Sequence, residues 1–189
     1  MALKDFKNNP AVSVKGTDLE ALHKSIKALV SSKVLVGIPA STTDRDDGEP
    51  ITNASIGYLN ELGEPAMNLP ARPWLVPGVR ENSDKLAKQL LAVAKLAVSS
   101  RASADGITKG LNIVGITAVA GIKDRITNGL TPPLAERTLQ GRARRGHEDA
   151  MWELAWRQAG VDAFSAQLTK PLIDTGNFLK SINYVVTTK

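Results

Sequence analysis

The sequence predicts an α+β fold: a small mixed or antiparallel sheet with long amphipathic helices packed on it. Three observations predict it. Apolar residues recur at helical spacing over two long stretches in the middle of the chain, short β-branched runs stand near its beginning and at its end, and Gly and Pro punctuate the intervals. At 189 residues the chain has room for one domain with a real core, read as 1–189, with 134–169 as a helical extension or protrusion. Aromatics make up only 4%, so the core is expected to be Leu, Ile, Val and Ala, and a base-stacking platform for nucleic acid has few rings to use.

In chain order, Val12 and Val14 alternate with Ser13 and Lys15 as a short strand before Gly16. Thr17 and Glu20 form a Thr-x-x-Glu capping box, followed at helical spacing by Leu19, Leu22, Ile26, Leu29 and Val30. Residues 34–38 are apolar on both faces and end at Pro39, which reads as a buried central strand. Residues 40–50 read as an exposed acidic loop. Its carboxylates Asp44, Asp46, Asp47 and Glu49 miss the calcium-loop spacing, because counting from Asp44 puts Gly48 and Ser55 where ligands are needed.

Thr52 or Asn53 is expected to cap a short helix that Gly63 stops in a left-handed conformation. Pro70, Pro73 and Pro77 then hold 71–76 extended and stiff. A long helix over 78–99 would carry Leu86, Leu90 and Val93 or Ala94 on one side and the pairs Glu81/Lys85 and Asp84/Lys88 on the other. A second, over 107–128, aligns Ile107, Leu111, Val114, Ala118, Ile122 and Ile126, while Ile113 and Ile116 add another apolar face. Such a helix is either sandwiched in its own domain or shared with a neighbouring subunit, and Gly110, Gly115 and Gly121 would admit another backbone. Beyond Pro132 and Pro133, residues 134–168 read as one or two helices with a basic elbow. Asp174 is expected to cap a short helix to Lys180, and a last strand over 182–187 to return beside the earlier ones.

Little chemistry is written in this pattern. There is no cysteine, the two histidines His23 and His147 are far apart, and no nucleophile elbow, P-loop or dinucleotide fingerprint occurs. No catalytic, cofactor-binding or metal-ligating residue is therefore expected. The polar first ten residues suit no signal peptide, and the apolar run over 111–122 is shorter than the ~20 residues of a membrane span. The chain is expected to stay in the cytoplasm of its host. A net charge of +5 permits contact with nucleic acid or an acidic surface without requiring either.

Two stretches carry a resemblance. Leu69-Pro70-Ala71-Arg72-Pro73-Trp74-Leu75 ahead of a long helix, and the run from Pro171-Leu172-Ile173-Asp174-Thr175-Gly176 to Ser181-Ile182 ahead of a strand, resemble the virion morphogenesis, tail-completion and neck (head-tail joining) proteins of tailed bacteriophages. The strand ending at Pro39 and the Asn60-Glu61-Leu62-Gly63 helix end fit the same pattern. Residues 141–168, with two tryptophans and several arginines, depart from it. The resemblance implies a non-catalytic structural subunit of a ring between head and tail. It would be a hexamer or, at the portal side, a dodecamer, touching other neck, portal-adaptor or tail-tube proteins, with phage DNA passing through and no membrane involved.

Residues suited to subunit contact follow. Arg72, Pro73, Trp74 and Leu75 lie on the stiffened segment, where Trp74 either anchors a neighbour or packs in its own core with Arg72 turned to water. Trp152 and Trp156 share one helix face and read as a packed or interfacial stripe. Asp174, Thr175 and Gly176 read first as a helix start, and alternatively as a turn placing the last strand at a shared sheet edge. The elbow of Arg137, Arg142, Arg144 and Arg145, with Lys170, is either solvated, paired with carboxylates such as Glu148 and Asp149 of a neighbour, or turned to phosphate.

Overall fold

The computed structural model describes residues 16–44, 50–99 and 103–188; the strand expected over 12–14 and the carboxylates at 46, 47 and 49 lie outside them. Helix α1 (Gly16–Ser31) turns Ser25, Ala28 and Leu29 inward and runs directly into strand β1 (Ser32–Gly37). That strand pairs antiparallel with β2 (Asn183–Thr188), setting Leu35 opposite Val185 and Val36 opposite Tyr184. The fold is α+β: eight α-helices and this two-stranded antiparallel sheet among the described residues.

One expectation about β1 is corrected. It is not a central strand buried on both faces, because helices cover only the side from which Val34 and Val36 project, and Leu35 on the other side is 56% exposed. A run of β-branched residues marks a strand, but whether a second layer covers it depends on the rest of the chain.

Helix α2 (Asn53–Leu62) begins and ends where its sequence says. The Thr52 hydroxyl accepts the Ser55 N–H at 3.1 Å, and Gly63, at φ 77°, donates its N–H to Leu59. The proline-framed segment behaves otherwise. Helix α3 (Leu75–Arg80) starts inside it, and the single helix expected over 78–99 is two, α3 and α4 (Ser83–Ala97).

Pro77 is tolerated because it sits in the first helical turn, where its missing N–H has no intrahelical partner to lose. The amides orphaned there are taken by a remote carboxylate: Glu61 on α2 accepts from Trp74, Leu75 and Val76 at 2.7, 2.8 and 3.1 Å. Between α3 and α4, the Asn82 amide donates to the Gly78 carbonyl at 3.0 Å and Asn82 leaves helical geometry. Glu81 reaches across to Arg125 in place of the expected pairing with Lys85.

Helix α5 (Ala104–Asn128) runs beside α3, α4 and the sheet. Ser103 caps it, and every member of the predicted stripe from Ile107 to Ile126 is buried. Its glycines clear space within this chain: Gly110 faces the Val93 side chain, Gly115 lies under the ring of Tyr184 from β2, and Gly121 admits the Asn82 side chain and the backbone carbonyl of Gly78 on α3. Helices α6 (Glu136–Arg144) and α7 (Glu148–Gln158) form a hairpin around Leu134, Leu139 and Ala150, a cluster separate from the main core. Helix α8 (Asn177–Ser181) leads into β2.

The glycine clearance is testable. A Cβ at Gly115 would overlap the Tyr184 ring, so Gly115→Ala should lower stability in urea by about 1–3 kcal/mol. Gly141→Ala, whose Cβ meets nothing nearer than Arg145 Nη1 at 3.8 Å, should instead raise it by roughly 0.5–1 kcal/mol.

Candidate functional site

The two stretches that resemble the phage proteins meet through their buried members, while Pro70, Ala71, Pro73, Asp174, Thr175 and Lys180 stay exposed. Trp74 and Phe178 meet edge to face, with ring centroids 5.1 Å apart and planes at 78°. The Trp74 indole donates to the Gly57 carbonyl at 2.9 Å, and a side chain at Gly57 would run into the same ring. Leu75, Ile173, Leu179 and Ile182 pack around the pair. Trp74 is 3% exposed, so the expectation that it anchors a neighbour is corrected: no area of it remains to bury.

Arg72 is also corrected. It is buried, turned neither to water nor to a neighbour. Its Nε donates to the Pro132 carbonyl at 2.7 Å and its Nη2 to the Pro133 carbonyl at 2.9 Å. Burial holds its pKa below the usual arginine value. Within the set 72–75, Pro73 is exposed and Leu75 is half-buried.

The basic elbow resolves around Asp174. This residue does not cap α8; Gly176, in the left-handed region at φ 82°, takes that position, and Thr175 Oγ1 accepts the Asn177 N–H at 3.4 Å. Asp174 instead faces Arg145 at 2.7 Å, His147 at 3.3 Å and Arg142 at 3.5 Å. Arg142 is buried and donates to the carbonyls of Ile173 at 2.6 Å and Lys170 at 3.2 Å.

Desolvation lowers the Arg142 pKa, and the Asp174 charge opposes that shift. Arg142 is thus withdrawn from all three alternatives read for the elbow, solvent, a neighbour's carboxylate and phosphate, and Arg145 shares a carboxylate of its own chain. Lys170 donates to the Thr127 carbonyl. Arg137 and Arg144 are exposed and in no ion pair among the described residues.

Sequence reasoning missed two carboxylates. Besides Glu61, Glu153 on α7 is wholly buried. It accepts from the amides of Leu168 at 3.0 Å and Thr169 at 2.7 Å and from the Thr169 hydroxyl at 2.6 Å, and it pairs with Arg157, which in turn donates to the Leu134 carbonyl. Glu153 and Arg157 are four apart, the spacing of an ordinary solvated helix pair. The available signal was that Trp152 and Trp156 flank them on another face of the same helix.

Those tryptophans are 61% and 43% exposed. Beside α6 lies an open groove of about 830 Å³, walled by α2, the turn over 67–70, α6 and the segment 171–178. No helix among the described residues is long and apolar enough to cross a membrane. Comparison with known families, with characterised proteins and with solved structures returns no match.

The Arg72 fork yields a prediction. Arg72→Lys keeps the charge and loses the second donor, so chemical denaturation should show a loss of roughly 2–3 kcal/mol. Arg144→Lys, on the surface, should change stability by less than about 0.5 kcal/mol.

Proposed function

We propose that this chain is a non-catalytic structural subunit of the ring joining head to tail in a tailed bacteriophage, a neck or tail-completion protein assembled in the host cytoplasm and carried in the virion. One observation carries the assembly part of the reading: apolar faces that the chain leaves uncovered. Ile113 and Ile116 on the outer side of α5 are 55% and 57% exposed, Leu90 and Leu91 on α4 are exposed, and Leu35 and Val185 face outward side by side on the sheet. Large apolar side chains left exposed in pairs on three elements are surfaces that a partner copy would cover, and exposed apolar patches of this composition mark interaction sites.

The phage part rests on the resemblance alone, carried by the stretches around Arg72-Pro73-Trp74 and Asp174-Thr175-Gly176. A hexamer, or a dodecamer at the portal side, would place other neck, portal-adaptor or tail-tube proteins above and below, with DNA in the channel.

A basic nucleic-acid-binding module is the competing reading. It is weakened because Arg142 is buried and Arg145 is paired with Asp174, two of the four arginines that motivated it. Sedimentation and electron microscopy of the purified chain separate the two. Closed rings that persist in molar salt are the expected result, since apolar contacts do not weaken as salt rises. A persistent monomer that binds duplex DNA with a steep salt dependence would overturn the assembly reading.

A further inference from the structure

Helix α7 is inside out. Its charged pair, Glu153 and Arg157, faces the molecule, while Trp152 and Trp156 face solvent. At 100° per residue the two indoles stand on the opposite side of α7 from Ala150 and Leu154, which pack on α6. Exposed tryptophans are the composition of an interface centre, and here the exposed carboxylates Glu148 and Asp149 border them.

The opposite flank of the same hairpin holds a receptor of matching character. The groove beside α6 is walled by Ile56, Leu69, Leu134 and Leu172, and its volume of about 830 Å³ is within the range that encloses a drug-sized molecule, enough for two indole rings. Four arginines line it, Arg72, Arg137, Arg142 and Arg145, against one carboxylate, Asp174. The first turn of α7 carries Glu148 and Asp149, neither in an ion pair among the described residues.

We infer that successive copies of this chain join head to tail, the tryptophan face of α7 on one copy seating in the α6 groove of the next, with Glu148 and Asp149 meeting Arg137. The inference rests on the ring reading above and names its contact. Because α6 stands between groove and tryptophan face, one copy cannot satisfy itself. A contact between two different patches is heterologous, the kind that closes into a ring when the rotation between copies allows.

The absence of native cysteine makes the test clean. Single-cysteine variants Thr138→Cys, in the groove, and Ala155→Cys, on the α7 face, are mixed under mild oxidation. The expected result is a disulfide-linked dimer in the mixture and none from either variant alone. Dimers from Ala155→Cys alone would overturn the inference by showing that the faces pair with themselves. No cross-link in a preparation that sediments as an oligomer would overturn it and leave the ring reading standing, and no cross-link without any oligomer would overturn both.

Charge reversal gives a second measurement, insensitive to a merely structural role. Arg137→Glu should weaken association about tenfold, and mixing it with a copy carrying Glu148→Arg and Asp149→Arg should restore it. Failure of that rescue would overturn the pairing of Arg137 with α7.

Discussion

Trp74 and Phe178 come from segments that share no secondary structure, and their edge-to-face contact sets the geometry of everything around it. The indole N–H holds α2 through the Gly57 carbonyl, and Glu61 on that helix holds the start of α3 through three backbone amides. With α2 and α3 fixed, Gly78 of α3 lies against the backbone of Ile122, which seats α3 on the long helix α5. On the other side, Phe178 places α8 so that β2 leaves it in register with β1. Substituting either ring by a small side chain would therefore loosen two helix packings and the return of the last strand together.

The region from Pro132 to Asp174 is organised differently, by charges drawn inward. Arg72 spans two carbonyls, Arg142 spans two more beside Asp174, and Glu153 gathers two amides, a hydroxyl and Arg157. Buried charges cost desolvation that attraction only partly returns, so their contribution is to specify one arrangement more than to add stability. A segment with little apolar cluster of its own, Leu134, Leu139 and Ala150 apart, needs such staples to keep the α6–α7 hairpin in a single orientation.

That contrast explains what the sequence disclosed. The stripe from Ile107 to Ile126 is legible because helical periodicity and burial coincide over about five turns of α5. The caps at Thr52 and Gly63 are legible because they act on adjacent residues. The start of α3 was hidden because its cap, Glu61, comes from another helix. The role of Asp174 was hidden because three partners compete for a side chain that local rules assign to helix capping. Glu153 was hidden because an i, i+4 ion pair reads the same whether it faces water or the interior. Among the candidate interface residues, Trp152 and Trp156 remain available on the surface, while Arg72, Trp74 and Arg142 have been taken into the fold.

The residues with which the chain resembles a phage family are thus, in large part, the residues that hold it together. Arg72, Trp74 and Phe178 would be required in any protein of this shape whatever it bound, because removing any of them opens the core or strands a buried carbonyl. Specific contact has to come from surfaces that the packing does not consume: the outer sides of α4 and α5, the open face of the sheet, and the tryptophans of α7. Of these, α7 alone has exchanged the usual places of its charged and apolar side chains. Burying Glu153 and Arg157 while leaving two indoles in water is unfavourable for an isolated molecule on both counts. A partner that covers the indoles removes half of that cost, which is the physical reason to look for the subunit contact on this helix first.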